Sequence, residues 1–265
     1  MKIIDFHTHI FPDNIAERAM AVLTDNAKGV RPHASGTLSG LRESMTNNKV
    51  TQSVLLPIAT KVSQVHTINA SCGVLTSEDC IPFGTLHPDT PNINEELDLL
   101  ESLKVKGIKL HPEYQDFYID DPRFFPMYEA LSARKFIVVF HAGKDPGPFT
   151  CDHALPPAFA AIHRNFPRLK MVAAHMGGWM VWKEVERYIL DLPMYFDTAA
   201  LREFLPAGEF LRLTRKHGVE RVLFGTDSPW YDQGEDVRWL DSMDLTSNEK
   251  EMILHKNAEQ LLENA

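Results

Sequence analysis

Cysteine is scarce: the 265 residues hold only Cys72, Cys80 and Cys151, and no CxxC pair. An odd count without that spacing argues against a disulfide framework and a thiolate zinc site, and fits a reducing cytoplasm. Positive charge is also in short supply. The 27 Lys and Arg stand against 36 Asp and Glu, a net charge of −9, with no basic cluster. Such a surface repels phosphate backbones, so nucleic acid is not the expected partner. No apolar run approaches the length needed to span a bilayer, and no membrane partner is expected. The opening MKIIDFHTHIF is too short and too polar for a signal peptide. There is no glycine-rich dinucleotide loop after the first apolar run. What is present is ordinary for a globular enzyme: 44% hydrophobic and 24% charged residues, a length close to one barrel domain, and enough chain to bury a core without staples.

Eight short apolar runs alternate with amphipathic segments. The runs are Lys2–Phe6, Gln52–Pro57, Ile81–Leu86, Gly107–Leu110, Phe136–Phe140, Lys170–Ala174, Met194–Asp197 and Arg221–Gly225. Several are apolar on both faces, as parallel strands buried on both sides are. Helix signals fall at Asn92–Leu103, Pro122–Ala133, Val181–Leu190, Ala207–His217 and Ser247–Leu262. Repeated strand–helix units predict parallel strands joined by right-handed crossovers. Eight units without a composition break predict a single (β/α)₈ TIM barrel, class α/β, as one domain over residues 1–265. The stretch from Phe11 to Lys49 exceeds a simple unit. It predicts an insertion after the first strand, with helices near 14–23 and 38–47 around the loop GVRPHASGT.

Barrel enzymes place their chemistry where strands end. Six of the 12 His fall there: His7, His9, His87, His111, His141 and His175. His7 and His9 share a strand face because side chains alternate, and imidazole suits Zn, Fe, Ni or Mn. Asp5 has the same parity and is expected to orient a ligand. An HxH alone also recurs by chance in ordinary strands, and a single His ending an apolar strand, like His141, is as readily a core residue. Their shared height on the ring gives them weight. Asp227 ends a buried strand, where a carboxylate is costly unless paired or metal-bound. Gly177 and Gly178 after His175 let backbone approach a ligand.

The motifs DFHTH (5–9), GIKLHP (107–112), FHAG (140–143), AHMGG (174–178) and GTDSPW (225–230) occur in the order found in the amidohydrolase superfamily. The chain resembles its amidohydrolase-related group, which contains aminocarboxymuconate-semialdehyde decarboxylase and related metal-dependent hydrolases. The resemblance implies that His7, His9, His141 and Asp227 hold one divalent metal, with zinc expected and Mn, Fe, Ni or Co as alternatives. It also implies that His175 is an acid/base or water-positioning group. Members with two metals carry a carboxylated lysine on strand four, where this chain has Lys109. Lys109 and His111 are read here as substrate contacts, and Lys144 as a further cation suited to an anionic substrate. A small-molecule substrate is expected, and a homodimer by resemblance.

Three imidazoles and a carboxylate leave room for water on a metal, whose pKa would fall to roughly 7. Asp227 could move that water's proton and His175 could steady the developing oxyanion. The expected reaction is hydrolysis of an amide, ester or lactone-type bond in a small, anionic molecule. Nonoxidative decarboxylation is the alternative. A nuclease is disfavoured by the acidic balance and by the absence of a strand-four glutamate. A dead barrel serving as a binding module is disfavoured because every expected ligand position is filled.

Overall fold

The computed structural model describes residues 2–27 and 30–265. Met1, Lys28 and Gly29, the last of which opens the expected loop, lie outside the described residues. The strands are β1 (Ile4–Thr8), β2 (Gln52–Leu55), β3 (Cys80–Pro82), β4 (Gly84–Thr85), β5 (Gly107–Leu110), β6 (Ile137–Phe140), β7 (Lys170–Ala173), β8 (Tyr195–Asp197) and β9 (Val222–Leu223). Neighbours pair in parallel throughout, in the orders β1-β2-β3 and β4-β5-β6-β7-β8-β9. All eight expected runs carry strand. The third is split: its first half pairs with β2 and its second with β5. Phe83, between the halves, still donates its N–H to Leu55 O (3.0 Å).

The two sets meet again on the far side. Phe6 N donates to Phe224 O (2.8 Å) and Asp227 N to His7 O (2.8 Å), and Thr8 bridges Ser228 in parallel. Eight staves thus form a ring whose two seams are held by a few hydrogen bonds rather than by continuous ladders.

Ile4, Phe6, Val54, Phe83, Ile137, Val139, Val172 and Leu223 form one apolar cluster with Ala258 and Leu261 of the C-terminal helix. Residues of opposite parity, such as Ile108, Leu110, Val138 and Phe140, pack outward against helices. This two-sided burial is why the strands read as unbroken apolar runs. The final helical run, Ser247–Glu263, contains a π turn at Met252–Lys256. Ile253 O within it accepts from Phe224 N (2.9 Å), fastening the run to the last stave.

Helices at Asp13–Asn26 and Leu38–Asn48 frame the insertion. It reaches the C-terminal end of the last stave, where His33 N donates to Pro229 O (2.7 Å). Helices at Val62–Leu75, Pro156–Asn165 and Gln233–Asp241 were not expected from the sequence. The first carries apolar residues around its circumference and no acid in its first turn, so neither usual signal was present. The second begins within Pro156-Pro157, which reads as the end of a rigid loop.

Candidate metal centre

His7, His9 and Asp227 converge. His9 Nε2 lies 3.2 Å and His7 Nε2 3.5 Å from the same Asp227 oxygen, Oδ1. Each ring's other nitrogen is committed. His9 Nδ1 donates to Leu56 O (2.7 Å) and His7 Nδ1 to Asp197 Oδ2 (2.8 Å). A carbonyl or carboxylate can only accept, so in a neutral ring the proton sits on Nδ1 and Nε2 is a bare lone pair. Two lone pairs and a carboxylate oxygen therefore face each other. Among the described residues, the donor bonded into this trio is Lys109, whose Nζ donates to His7 Nε2 (3.2 Å). A single ammonium reaching one of three acceptors does not satisfy the set, and a divalent cation would. The residues fit a metal with N and O ligands.

Electrostatics agree with this. Burial pushes the His7 imidazole well below its ordinary range, aided by the Lys109 charge, so the neutral form needed for ligation is favoured. Burial alone would raise the Asp227 carboxyl, but positive charge at the surrounding His9, His7 and His175 positions lowers it below its ordinary range, and with those rings neutral a bound cation would supply that charge. Burial brings the Lys109 ammonium down to about 8, with Asp197 and Asp227 pulling the other way.

His141 and His175 form a second contact by the same logic. His175 Nδ1 donates to Ala199 O (3.0 Å) and His141 Nε2 to Lys144 O (3.0 Å). Their remaining nitrogens, His175 Nε2 and His141 Nδ1, lie 3.1 Å apart. Two bare lone pairs at that distance require a proton or a cation. His141, which the resemblance places with His7, His9 and Asp227 as a metal ligand, keeps a bare Nδ1 for that role, and its ligand atom also lies within 4.8 Å of those of His111 and Asp145. That second group is a weaker ligand set, because His141 Nε2 is already spent on Lys144 O.

His111 stacks on His141 at 4.3 Å between ring centroids. Its Nε2 is 3.5 Å from Asp145 Oδ2, and its Nδ1 is 3.8 Å from Glu113 Oε2 with no hydrogen-bond partner. Burial raises Glu113 to about 7 and Asp145 to about 6.

Three expectations change. Asp5 does not orient a histidine ring. The pairing of β1 with β2 shifts register between Asp5 and Thr8, which breaks the parity argument. Asp5 instead accepts from Thr226 N and Oγ1, Gln233 Nε2 and His7 N. Lys144 is exposed and contributes a backbone carbonyl, not a cation. His87 is held in its own turn, where Asp89 N donates to His87 Nδ1 (3.2 Å).

Sequence reasoning missed Asp197, Glu113, Asp145 and His153, whose backbone N–H donates to Glu113 Oε1 (2.9 Å). For Asp197 the signal was available, since it ends a buried strand as Asp227 does. The others depend on how the loop after β6 folds back, which no local pattern reports.

A family model described as Amidohydrolase matches residues 4–263. The chain is similar in fold to an uncharacterized TIM-barrel protein of Bordetella bronchiseptica, with a TM-score of 0.81, 21% identity, and coverage of 100% of this chain and 99% of that one. It is also similar to a dihydroxybenzoic acid decarboxylase from Polaromonas sp. JS666 solved with manganese and the inhibitor 2-nitroresorcinol. There the TM-score is 0.76 and the identity 15%, over 99% of this chain and 97% of that one. A curated relative, decarboxylase orsB of Emericella nidulans, is 26% identical over a stretch covering 42% of this chain and only 39% of that protein. Among the described residues no helix is long and apolar enough to cross a membrane. A family match over nearly the whole length, on a ring of eight parallel staves with histidines at their ends, identifies the chain as a TIM-barrel member of the amidohydrolase family.

Proposed function

We propose that the protein is a metal-dependent nonoxidative decarboxylase of a small carboxylic acid, rather than the hydrolase the sequence favoured. The observation that carries the reading is the convergence of His7 Nε2 and His9 Nε2 on one Asp227 oxygen, with both Nδ1 atoms committed as donors. Support for decarboxylation comes from the named relatives: orsB and the Polaromonas protein are decarboxylases, and the latter binds manganese. Bound here, a divalent ion such as manganese or zinc supplies Lewis acidity toward a carboxylate or carbonyl oxygen.

The chain's own residues supply the rest. Lys109, a buried ammonium 3.2 Å from His7 Nε2, pairs with the substrate carboxylate and orients it. Loss of CO₂ leaves an electron pair on carbon that needs one proton, so RCOO⁻ and H⁺ give RH and CO₂. Asp227 is held ionised and is poorly suited to give that proton. His175 is better placed once its Nε2 carries the proton that the contact with His141 Nδ1 calls for. Its Nδ1 is fixed on Ala199 O, its backbone O accepts from Trp182 Nε1 (3.1 Å), and its Nε2 is turned toward the site.

The test is to load the protein with Mn²⁺ or Zn²⁺ and offer aromatic and aliphatic acids labelled at the carboxyl carbon. Esters, amides and lactones are assayed in parallel. Labelled CO₂, lost in Asp227→Asn, supports the proposal. Hydrolysis products without CO₂ would return the protein to the hydrolase reading.

A further inference from the structure

Asp197 is fully buried at the end of β8 and serves two neighbours at once. Its Oδ2 accepts from His7 Nδ1 (2.8 Å). Its Oδ1 accepts from the backbone N–H groups of His175 (2.8 Å) and Ala199 (3.1 Å). Those bonds matter because His175 has a φ of 59°, a left-handed conformation that costs a non-glycine residue energy unless its surroundings hold it. The carbonyl of the same Ala199 takes the His175 Nδ1 proton. One carboxylate therefore touches the ring of the first metal-ligand candidate and the backbone of the acid/base candidate.

We infer that Asp197 is a positioning residue that decides which nitrogen of His7 faces the metal centre while holding His175 in place. The inference rests on the metal-centre reading above. The chemistry is that of tautomers. A carboxylate can only accept, so it forces the His7 proton onto Nδ1 and leaves Nε2 bare toward Asp227. Asparagine is nearly the same shape. Its carbonyl can keep accepting from His175 and Ala199, which turns its NH₂ toward His7. Nδ1 must then accept, the proton moves to Nε2, and the ligating lone pair is lost. Lys109 opposes this change, because its Nζ donates to the same Nε2. Asp197→Asn should therefore act most fully in a Lys109→Met background.

The experiment uses metal-free protein labelled with ¹⁵N at histidine. Long-range proton–nitrogen correlation spectra are recorded, and His7 is assigned by its loss in His7→Gln. Wild type should show His7 protonated at Nδ1, and Asp197→Asn/Lys109→Met should show it protonated at Nε2 with His175 unmoved. Zn²⁺ titration of wild type, Lys109→Met and the double variant should then show about a 10- to 100-fold loss of affinity on adding Asp197→Asn. Wild-type His7 protonated at Nε2 would overturn the inference without recourse to any variant. So would a double variant that keeps the Nδ1 proton or binds zinc as tightly as Lys109→Met. A wild type that takes up no metal would instead sink the metal-centre reading, while the tautomer spectra would still decide the role of Asp197.

Discussion

Three groups of histidines and carboxylates among the described residues share the mouth of this barrel; that of His7, His175 and Asp197 shares His7 with another, and the remaining two, which have no residue in common, are not equivalent. In the first, His7, His9 and Asp227, each ring has its far nitrogen engaged by an acceptor, so both near nitrogens are bare and point at one oxygen. In the second, His111, His141 and Asp145, the atoms are just as close. There the Nε2 of His141 is spent on Lys144 O, and the Nδ1 of His111 has no hydrogen-bond partner among the described residues. Proximity alone would rank the groups as equals. The hydrogen bond behind each ring separates them: it favours the first as a ligand set and the second for substrate contacts, with His141, whose bare Nδ1 faces His175, between the two.

The strongest way to break this comparison is Asp227→Asn. Turnover should fall about 10³-fold or more, the several kcal/mol a metal-stabilised charge is worth. The metal-free variant should be at least as stable as wild type, because an amide NH₂ can donate to the bare His9 nitrogen where a carboxylate cannot. Full activity would remove Asp227 from the mechanism, and a marked loss of stability would remove the lone-pair argument.

Lys109→Met comes next. Losing a charged partner of the substrate carboxylate should raise KM about 10- to 100-fold. The same variant has a stability signature. The Lys109 ammonium sits at about 8 in the fold against an ordinary 10.5, so the unfolded chain binds the extra proton between those values. The penalty for burying the charge is full below about 8 and fades as pH rises toward 10.5. Denaturant unfolding of metal-free protein should show wild type gaining on Lys109→Met across that window, by on the order of 3 kcal/mol. A flat difference would mean that Lys109 titrates in the fold as it does in the unfolded chain and carries no burial penalty.

The second group gives the smallest effect. Glu113 is raised from 4.5 to about 7 by burial, so its contribution to stability is full below about 4.5 and is lost as pH rises through about 7. Glu113→Gln keeps an acceptor for His153 N–H and removes the charge. Wild type should lose ground to this variant between those pH values, by on the order of 2 kcal/mol once partial solvent screening is allowed for. Metal content should not change. A fall in bound metal would place Glu113 in the ligand set and merge the two groups.

The ring itself was legible because its strands are buried on both faces. Segments such as Phe136–Phe140 and Lys170–Ala174 admit little other reading, and Gly107–Leu110 and Ala207–His217 match to the residue. The break at Phe83 was not legible, since nothing in IPFGTL marks the change of partner strand. At the site, residue types and strand ends were enough to nominate His7, His9 and Asp227. The tautomers were not, because those of His9, His141 and His175 are set by the carbonyls of Leu56, Lys144 and Ala199, whose residue types carry no signal and whose positions depend on how the staves assemble. Asp5 shows the limit of periodicity most clearly, as one register shift moves it off the face it shares on paper with the histidines.

The most direct test is metal content per chain by elemental mass spectrometry, on wild type, His9→Ala and His111→Ala purified alike without added metal or chelator. One equivalent in wild type and His111→Ala, with almost none in His9→Ala, is the predicted result. Equal content in all three, or loss in His111→Ala alone, would contradict the assignment of the metal to the first group.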